Sequence, residues 1–208
     1  MGVITKIEEQ KNKNRVNIFV DDSFFCGLEK ETAVIFGLKL NKEVDEKELE
    51  QAVIKSEEKR SFEKAISLIE KKMNTKKELK DKLLKRGFSE DCIKSTINKL
   101  EEYHYIDDDL YAKLFIEQNP NLSKKMISNK LMQKGINKEI IEKNLLCIDN
   151  ETEYENCMAL AKKILKTSKI ENFNDKQKFM AKLVRRGFSF DIIKKVMSNL
   201  NYEIDDFD

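Results

Sequence analysis

Three consecutive carboxylates are the residues whose types and spacing first suggest chemistry in this chain. Asp107, Asp108 and Asp109 stand just before a run of apolar residues, and hard cations such as Mg²⁺ take carboxylate oxygens as ligands. The same pattern is typical of a helix start, where one aspartate caps free N–H groups and its neighbours meet the positive end of the helix dipole. We favour the helix start, with Asp107 or Asp108 as the N-cap, over a metal or catalytic site.

No pairing of a nucleophile with a general base stands out in the sequence. His104 is the only histidine and no serine or cysteine partner is placed beside it, so we interpret it as a partly packed structural residue. Cys26, Cys92, Cys147 and Cys157 show no CxxC spacing, and the first three have apolar neighbours, which predicts reduced packing residues of a cytosolic protein. With neither a glycine-rich phosphate loop nor an HExxH motif, we predict a non-enzymatic protein without catalytic residues, metal, cofactor or small-molecule substrate.

Basic residues that recur beside glycines offer a different chemistry. Three segments align without gaps at Gly87, Gly135 and Gly187, at intervals of 48 (135 − 87) and 52 (187 − 135) residues. Stacking of the segments would bring the matched basic residues into a stripe that suits DNA phosphates or acidic protein patches. The candidate binding residues are Lys82, Lys85, Arg86, Lys130, Lys134, Lys182, Arg185 and Arg186. The alternative is that these side chains are solvated faces of charged helices.

Each aligned segment predicts two helices joined by a sharp corner. Apolar residues recur at helical spacing, as at Leu79 and Leu83 in the first copy. A glycine just past a helix end suits positive φ, and Ser89, Asn137 and Ser189, two residues further on, are good N-caps of a following helix. A less regular helix precedes each pair, at residues 60–73, 108–118 and 152–166.

The repeat interval predicts a mainly α fold with three tandem three-helix repeats stacked in an elongated curved array. Short β-like runs at residues 3–8, 15–20 and 24–26 predict a small antiparallel sheet before the repeats, followed by a short helix at 29–36 and a charged helix from Asp45 towards Lys59. We predict a β-containing N-terminal lobe with short helices at residues 1–58, repeats at 59–106, 107–150 and 151–202, and an acidic tail at 203–208.

Composition narrows the functional classes. The chain is 40% apolar and 38% charged, with a formal charge of +2, which argues against a strongly basic nucleic-acid binder and leaves only local patches for such a role. No segment approaches the roughly 18 continuous apolar residues of a membrane span. The N-terminus also lacks the apolar region of a secretion signal, so we expect a cytoplasmic location.

Several segments together resemble the RecX family, regulatory proteins of the RecA recombinase. They are the stretch YIDDDLYA at 105–112, the Arg-Gly-Phe turns that end at Phe88 and Phe188, the threefold arrangement, and the opening ITKIEEQKNKNRVNIFVDD followed by FFCGL. The resemblance covers nearly the whole chain. The middle repeat departs from the pattern, with Lys134-Gly135-Ile136 where the flanking repeats have Arg-Gly-Phe.

The resemblance implies a non-enzymatic modulator that lies in the groove of the RecA–DNA filament and limits its growth or activity. An inhibitor is favoured over an activator. It would thereby regulate homologous recombination, DNA repair and the SOS response. Its partners would be the RecA filament and DNA within or beside it, with no membrane, and it would act as a monomer. A stand-alone DNA-binding protein of helix-turn-helix character stays open, because helix, tight turn and helix also describes that motif; the near-neutral charge weighs against it.

Overall fold

The computed structural model describes residues 1–168 and 170–201, which form four β-strands and ten α-helices. The strands are β1 (Gly2–Glu9), β2 (Arg15–Val20), β3 (Ser23–Glu29) and β4 (Glu43–Val44). The helices are α1 (Lys30–Ile35), α2 (Glu46–Ile69), α3 (Lys76–Leu84), α4 (Glu90–Glu102), α5 (Asp108–Glu117), α6 (Lys124–Gln133), α7 (Lys138–Leu145), α8 (Asn150–Leu165), α9 (Phe173–Arg185) and α10 (Phe190–Asn199). The predicted acidic tail at residues 203–208 lies outside the described residues.

An antiparallel sheet with the strand order β3-β2-β1-β4 forms the N-terminal lobe. Side chains alternate between the two faces of a strand, and the sheet buries Ile4, Ile18 and Leu28 completely. A two-residue turn joins β2 to β3 at Asp21 and Asp22, whose φ values are +47° and +62°. Positive φ at both residues is the type I′ conformation, which aspartate tolerates. The predicted sheet is confirmed, and β4 is an addition to it.

One long helix continues from the lobe into the first repeat. The sequence predicted two helices, at 45–59 and 60–73, whereas α2 runs unbroken from Glu46 to Ile69. Neither glycine nor proline interrupts it, so nothing in its backbone ends the first helix early. Its first half places Leu49 and Ala52 in the core of the sheet, and its second half places Ala65 in the core of the first repeat. The predicted boundary between residues 58 and 59 therefore lies inside a helix.

The repeats each contain three helices, as the sequence predicted. They are the second half of α2 with α3 and α4, then α5, α6 and α7, then α8, α9 and α10. The matched apolar columns are buried in all three copies, at Leu79, Leu83, Ile127, Leu131, Phe179 and Leu183. A helix of this kind buries one apolar stripe and exposes its charged face. The mainly α fold with three-helix units and a small strand-containing lobe is therefore confirmed.

The described residues pack as two compact units. The first comprises residues 1–74 and 78–106, and the second comprises residues 75–77 together with those from 107 onwards. In the first unit α2 packs against both β3 and α4; in the second, α7 packs on α5 and α6, and α10 packs on α8 and α9. Within the described residues, no helix combines the length and apolar character needed to cross a membrane.

Glycines at matched positions end the middle helix of each repeat. Gly87, Gly135 and Gly187 have φ values of +80°, +81° and +87°. A side chain with a Cβ is strained in this left-handed region, so the positive φ expected at Gly87 is confirmed. The chain turns there and starts the third helix of the repeat three residues later.

The N-caps predicted for these third helices are confirmed in two repeats of three. Asn137 and Ser189 each accept a hydrogen bond from a backbone N–H in the first turn of their helix, at 3.1 and 3.4 Å. Ser89 occupies the same place in the first repeat but caps no helix N–H with its side chain. Its backbone N–H and its hydroxyl instead donate to the carboxylate of Glu57 on α2, at 2.7 and 3.0 Å.

Candidate basic interface

The three consecutive aspartates serve separate structural partners. Asp107 caps α5, since its carboxylate accepts hydrogen bonds from the backbone N–H groups of Asp109 and Leu110 at 2.8 and 3.0 Å. Asp108 is buried and accepts from the backbone N–H of Lys76 at 3.1 Å. The prediction of a helix start is confirmed.

Asp109 joins two helices of the second repeat. Its carboxylate lies 2.9 Å from Lys113 Nζ and 3.1 Å from Lys143 Nζ, and it accepts from the Asn144 amide at 2.8 Å. The hydrogen bond from Lys113, followed by those from Asn144 and Lys143, holds the pKa of Asp109 well below its usual range. In residues 1–168 and 170–201, no cluster of three or more His, Cys, Asp or Glu side chains is arranged to hold a metal ion.

His104 and Cys147 lie in settings that the sequence did not predict. His104 is exposed, with a φ of +56°, and its backbone N–H donates to the Glu101 carbonyl at 2.9 Å. It lies in the turn that follows α4 and does not pack into the core. Cys147 is exposed beyond the end of α7, while the other three cysteines are buried. Burial raises the pKa of the Cys26 thiol to about 11 and of the Cys157 thiol to about 12, so neither is an active nucleophile at neutral pH.

The predicted basic residues lie at the C-terminal ends of α3, α6 and α9 and in the glycine turns that follow. Lys85, Arg86, Lys130, Arg185 and Arg186 are exposed, and Lys82, Lys134 and Lys182 are half-buried. Positive side chains at a helix C-terminus interact favourably with the dipole and with the last carbonyls; Arg86 Nη1, for example, donates to the Lys82 carbonyl at 2.9 Å. The five exposed side chains are in solvent, where a partner can reach them.

The half-buried lysines interact with neighbours in the chain. Lys82 Nζ donates to Asn74 Oδ1, and Lys182 Nζ lies 3.4 Å from Ser168 Oγ. Lys134 Nζ lies 5.4 Å from the centroid of the Tyr111 ring, within the range of a cation–π contact. These three side chains contribute to packing, which makes them weaker candidates for binding than the exposed five.

The turns of the second and third repeats are each held by the repeat before them. Thr75, which precedes α3, donates from its hydroxyl to the Lys134 carbonyl at 2.7 Å. Ser123, the N-cap of α6, donates from its backbone N–H to the Arg186 carbonyl at 3.1 Å. Both donors are buried. The backbone of the basic residue before Gly135 and before Gly187 is thus fixed by a contact between successive repeats.

The glycines of these two turns also allow a close approach. A methyl group added at Gly135 would overlap the side chain of Lys77, and one added at Gly187 would overlap the Ser123 hydroxyl. At Gly87 the same methyl position has nothing within 4 Å. The first turn therefore differs from the other two, since no preceding repeat covers it.

A cleft in the first unit lies beside this uncovered turn. Its volume is about 670 Å³, and its walls include Arg15, Arg60, Lys64, Arg86 and Phe88. Among the basic wall residues only Arg86 was a candidate from the sequence, because Arg15 comes from β2 and Arg60 and Lys64 come from α2, and they meet the turn only in the folded chain. The spacing of Arg60 and Lys64, four residues apart on one helix face, is the sequence signal that could have indicated this patch.

Three family models match the chain in order. Residues 2–45 match the regulatory protein RecX N-terminal domain, residues 62–100 match the first three-helix domain of RecX, and residues 151–197 match its third three-helix domain. The matched ranges fall on the sheet with α1 and on the first and third repeats.

Relatives and solved structures agree with these matches. Regulatory protein RecX of Clostridioides difficile (strain 630) is 37% identical over 100% of both chains, and regulatory protein RecX of Bacillus licheniformis is 33% identical over 99% of this chain and 80% of its own length. A crystal structure of RecX from Lactobacillus salivarius has a TM-score of 0.62 and 28% identity, over 70% of this chain and 97% of that one. A second structure, of regulatory protein RecX, shares the fold with a TM-score of 0.69 at 24% identity, over 95% of this chain and 100% of that chain. On its full-length similarity to these relatives, this chain belongs to the RecX family.

Proposed function

We propose that this chain is a non-enzymatic regulator of the RecA recombinase, and that it inhibits RecA by binding the RecA–DNA filament. The observation that carries the proposal is the 37% identity to a regulatory protein RecX over the full length of both chains. In this proposal the chain modulates recombination and DNA repair through contacts alone, as a monomer, without metal or cofactor.

The exposed basic residues supply the contacts in this proposal. Arg86 in the first repeat and the pair Arg185 and Arg186 in the third are exposed at the ends of the middle helices, and Lys130 is exposed near the end of α6 in the second repeat. A planar guanidinium donates two parallel hydrogen bonds to a phosphate or a carboxylate. Both DNA phosphates in the filament and acidic patches on RecA are therefore suitable partners for these side chains.

Repetition explains how modest contacts add up. A filament presents the same subunit at regular intervals, and a chain with repeated binding elements engages several of them at once. The second and later contacts are then intramolecular, which raises the overall affinity without any new type of contact. The hydrogen bonds from Thr75 to Lys134 and from Ser123 to Arg186 fix the turns of the second and third repeats, so less conformational entropy is lost on binding.

The test is the single-strand-dependent ATPase of RecA from the same organism. RecA is held at a fixed concentration on a saturating single strand, and the full chain is titrated in from far below the RecA concentration. We expect the ATPase rate to fall at substoichiometric chain, because each bound regulator affects a filament of many subunits. A rise in the ATPase rate at the same ratio would mean that the chain regulates the filament as an activator and not as an inhibitor.

The alternative function, a stand-alone DNA-binding protein, gives a different titration. Such a protein competes with RecA for DNA, so the ATPase rate changes only when the chain is abundant enough to coat the strand. A midpoint that moves in proportion to DNA concentration, at constant RecA, would contradict filament regulation. A midpoint that follows the filament concentration supports it.

A further inference from the structure

We propose that the cleft beside the first glycine turn binds the phosphate backbone of a single-stranded nucleic acid. We call it the first-turn cleft; its basic walls are Arg15 on β2, Arg60 and Lys64 on α2, and Arg86 before Gly87. The biological role of this site rests on the proposed function, since it would place DNA against the N-terminal lobe of a filament regulator. The binding chemistry itself can be tested on the chain alone.

The charge balance of the first-turn cleft is positive. Four basic side chains line it, against two acidic ones, Glu29 and Glu63. Glu29 is shared between two guanidinium groups, with Oε1 at 3.6 Å from Arg15 Nη1 and 3.8 Å from Arg60 Nε. Both distances exceed those of a hydrogen bond, so this carboxylate balances the two arginines only in part.

Two of the basic groups lack an acidic partner among the described residues. Over residues 1–168 and 170–201, no carboxylate oxygen lies within 4.0 Å of Lys64 Nζ or of the Arg86 guanidinium. Two other lysines on α2, Lys55 and Lys59, do have a carboxylate within that distance. An uncompensated pair facing one cleft raises the local concentration of anions there.

One arginine of the cleft is held in place and another is accessible. The Arg15 side chain is only 16% exposed; Nη2 donates to the Gly27 carbonyl at 2.8 Å, and its buried Nε has no hydrogen-bond partner among the described residues. Arg60 remains 46% exposed. A fixed guanidinium and an accessible one suit the oxygens of a phosphodiester, because the planar fork of each matches phosphate geometry.

An aromatic ring beside these arginines favours a nucleic acid over an acidic peptide. The Arg60 guanidinium lies 5.7 Å from the centroid of the Phe88 ring, which is half-buried and lines the cleft. Single-stranded nucleic acids bind where a positive groove follows the backbone and aromatic side chains meet the bases. The open space around Gly87 lets a strand approach the turn closely, since glycine has no side chain.

The test measures the binding of a fluorescently labelled oligo(dT) to the full chain without RecA. Fluorescence anisotropy gives the affinity at a range of salt concentrations. We compare the Arg60→Ala/Lys64→Ala variant with a matched control, Lys71→Ala/Lys72→Ala, which removes the same charge from two exposed lysines of the same unit. We expect the cleft variant to weaken binding about three- to tenfold. Its salt slope should also fall by about 0.7 for each phosphate that the variant no longer neutralises. The control should bind as the parent chain does.

A second variant keeps the proposal testable if the first one destabilises α2. Glu63→Gln removes an exposed acid from the cleft and should tighten oligo(dT) binding. Unchanged affinity in both cleft variants, or an equal loss in the lysine control, would overturn the proposal. Polyglutamate and unlabelled oligo(dT) are compared as competitors at equal concentrations of negative charge. If polyglutamate displaces the labelled oligo(dT) more effectively, the proposal is overturned in favour of an acidic protein partner.

These outcomes are separate from those of the ATPase titration. If the chain binds oligo(dT) through Arg60 and Lys64 but leaves the RecA ATPase unchanged, the first-turn cleft is supported and the proposed function is contradicted. If the chain regulates RecA but both cleft variants bind oligo(dT) as the parent does, the proposed function is supported and the first-turn cleft is contradicted.

Discussion

Neighbouring carboxylates at positions 107 to 109 have different roles because their side chains leave the helix start in different directions. Asp107 caps α5, buried Asp108 accepts from the Lys76 backbone, and Asp109 faces three donors on α5 and α7. Each carboxylate is satisfied by hydrogen bonds within the second unit, which accounts for the acidic run without a bound metal. The same geometry makes stability sensitive to pH.

Replacing Asp109 by asparagine should destabilise the fold in a pH-dependent way. The donors lower the pKa of Asp109 in the folded chain, so its ionised form stabilises the fold above the ordinary aspartate pKa of about 3.9, and this stabilisation is lost as the pH falls towards the lowered value. Asp109→Asn should therefore reduce the free energy of unfolding at pH 7 by about 1 kcal/mol. At pH 3 the difference between parent and variant should be smaller.

Urea unfolding followed by circular dichroism at pH 7 and pH 3 measures both differences. Asparagine keeps one acceptor oxygen at the site and does not titrate, so the variant supplies its own baseline. An equal difference at the two pH values would show that the charge of Asp109 does not contribute, and that the loss comes from geometry alone.

The glycine turns are the elements that repeat most faithfully, yet they are not equivalent. All three glycines have positive φ, but Gly187 also approaches the preceding repeat, where an added methyl would overlap Ser123 Oγ and lie 3.0 Å from Met126 Cβ. Gly87 has open space at the same position. The repeats thus share one local conformation and differ in what packs against it.

Alanine substitutions should separate these two effects. Gly87→Ala should cost about 1 kcal/mol, because alanine is strained at positive φ and nothing else is disturbed. Gly187→Ala should cost about 1–3 kcal/mol more, because the methyl group also displaces the start of α6. Thermal and urea unfolding of the two variants measure the comparison, with Gly87→Ala as the control for backbone strain. Equal losses of unfolding free energy in the two variants would mean that the contact between repeats adjusts to the methyl group without destabilising the fold.

At the scale of the whole molecule, the basic residues matter as a repeated set. Lys85 and Arg86 of the first repeat match Arg185 and Arg186 of the third, and all four are exposed, as is Lys130 in the second repeat. Each alone resembles an ordinary solvated charge of small energetic effect. Their proposed role depends on simultaneous contact with a filament, in which modest local affinities combine. The first-turn cleft would add a contact for DNA at the N-terminal lobe.

Removing both arginines of the third repeat should weaken filament binding without unfolding the chain. Arg185 and Arg186 are exposed, and only the backbone carbonyl of Arg186 takes part in the contact with Ser123. Arg185→Ala/Arg186→Ala should therefore leave the helical circular dichroism signal intact. The chain concentration for half-maximal inhibition of the RecA ATPase should rise about three- to tenfold.

The matched control for this variant is Lys162→Ala/Lys163→Ala on α8, which removes two exposed charges from the same repeat. If both double variants lose potency equally, the effect is one of net charge and not of position. Unchanged potency of the arginine variant would remove Arg185 and Arg186 from the proposed interface.

Much of this protein was determined by its sequence alone, because much of it is local. Helical spacing, a glycine past each helix end and a polar residue two positions later define the repeats, and positive φ at Gly87 follows from its place beyond α3. An aspartate cap at position 107 or 108 and the resemblance to the RecX family were equally readable from the sequence. The merging of two predicted helices into α2 was missed at residues 58–59, where the sequence changes composition but contains no residue that breaks a helix.

Tertiary structure decided what these local elements meet. The bond from Thr75 to Lys134 joins residues 59 positions apart, and the first-turn cleft gathers side chains from β2, α2 and the turn at Gly87. Hydrogen-bond partners and exposure depend on three-dimensional proximity, which periodicity does not encode. For the same reason His104 and Cys147 are exposed against expectation, and three of the eight candidate basic residues are half-buried while five stand in solvent.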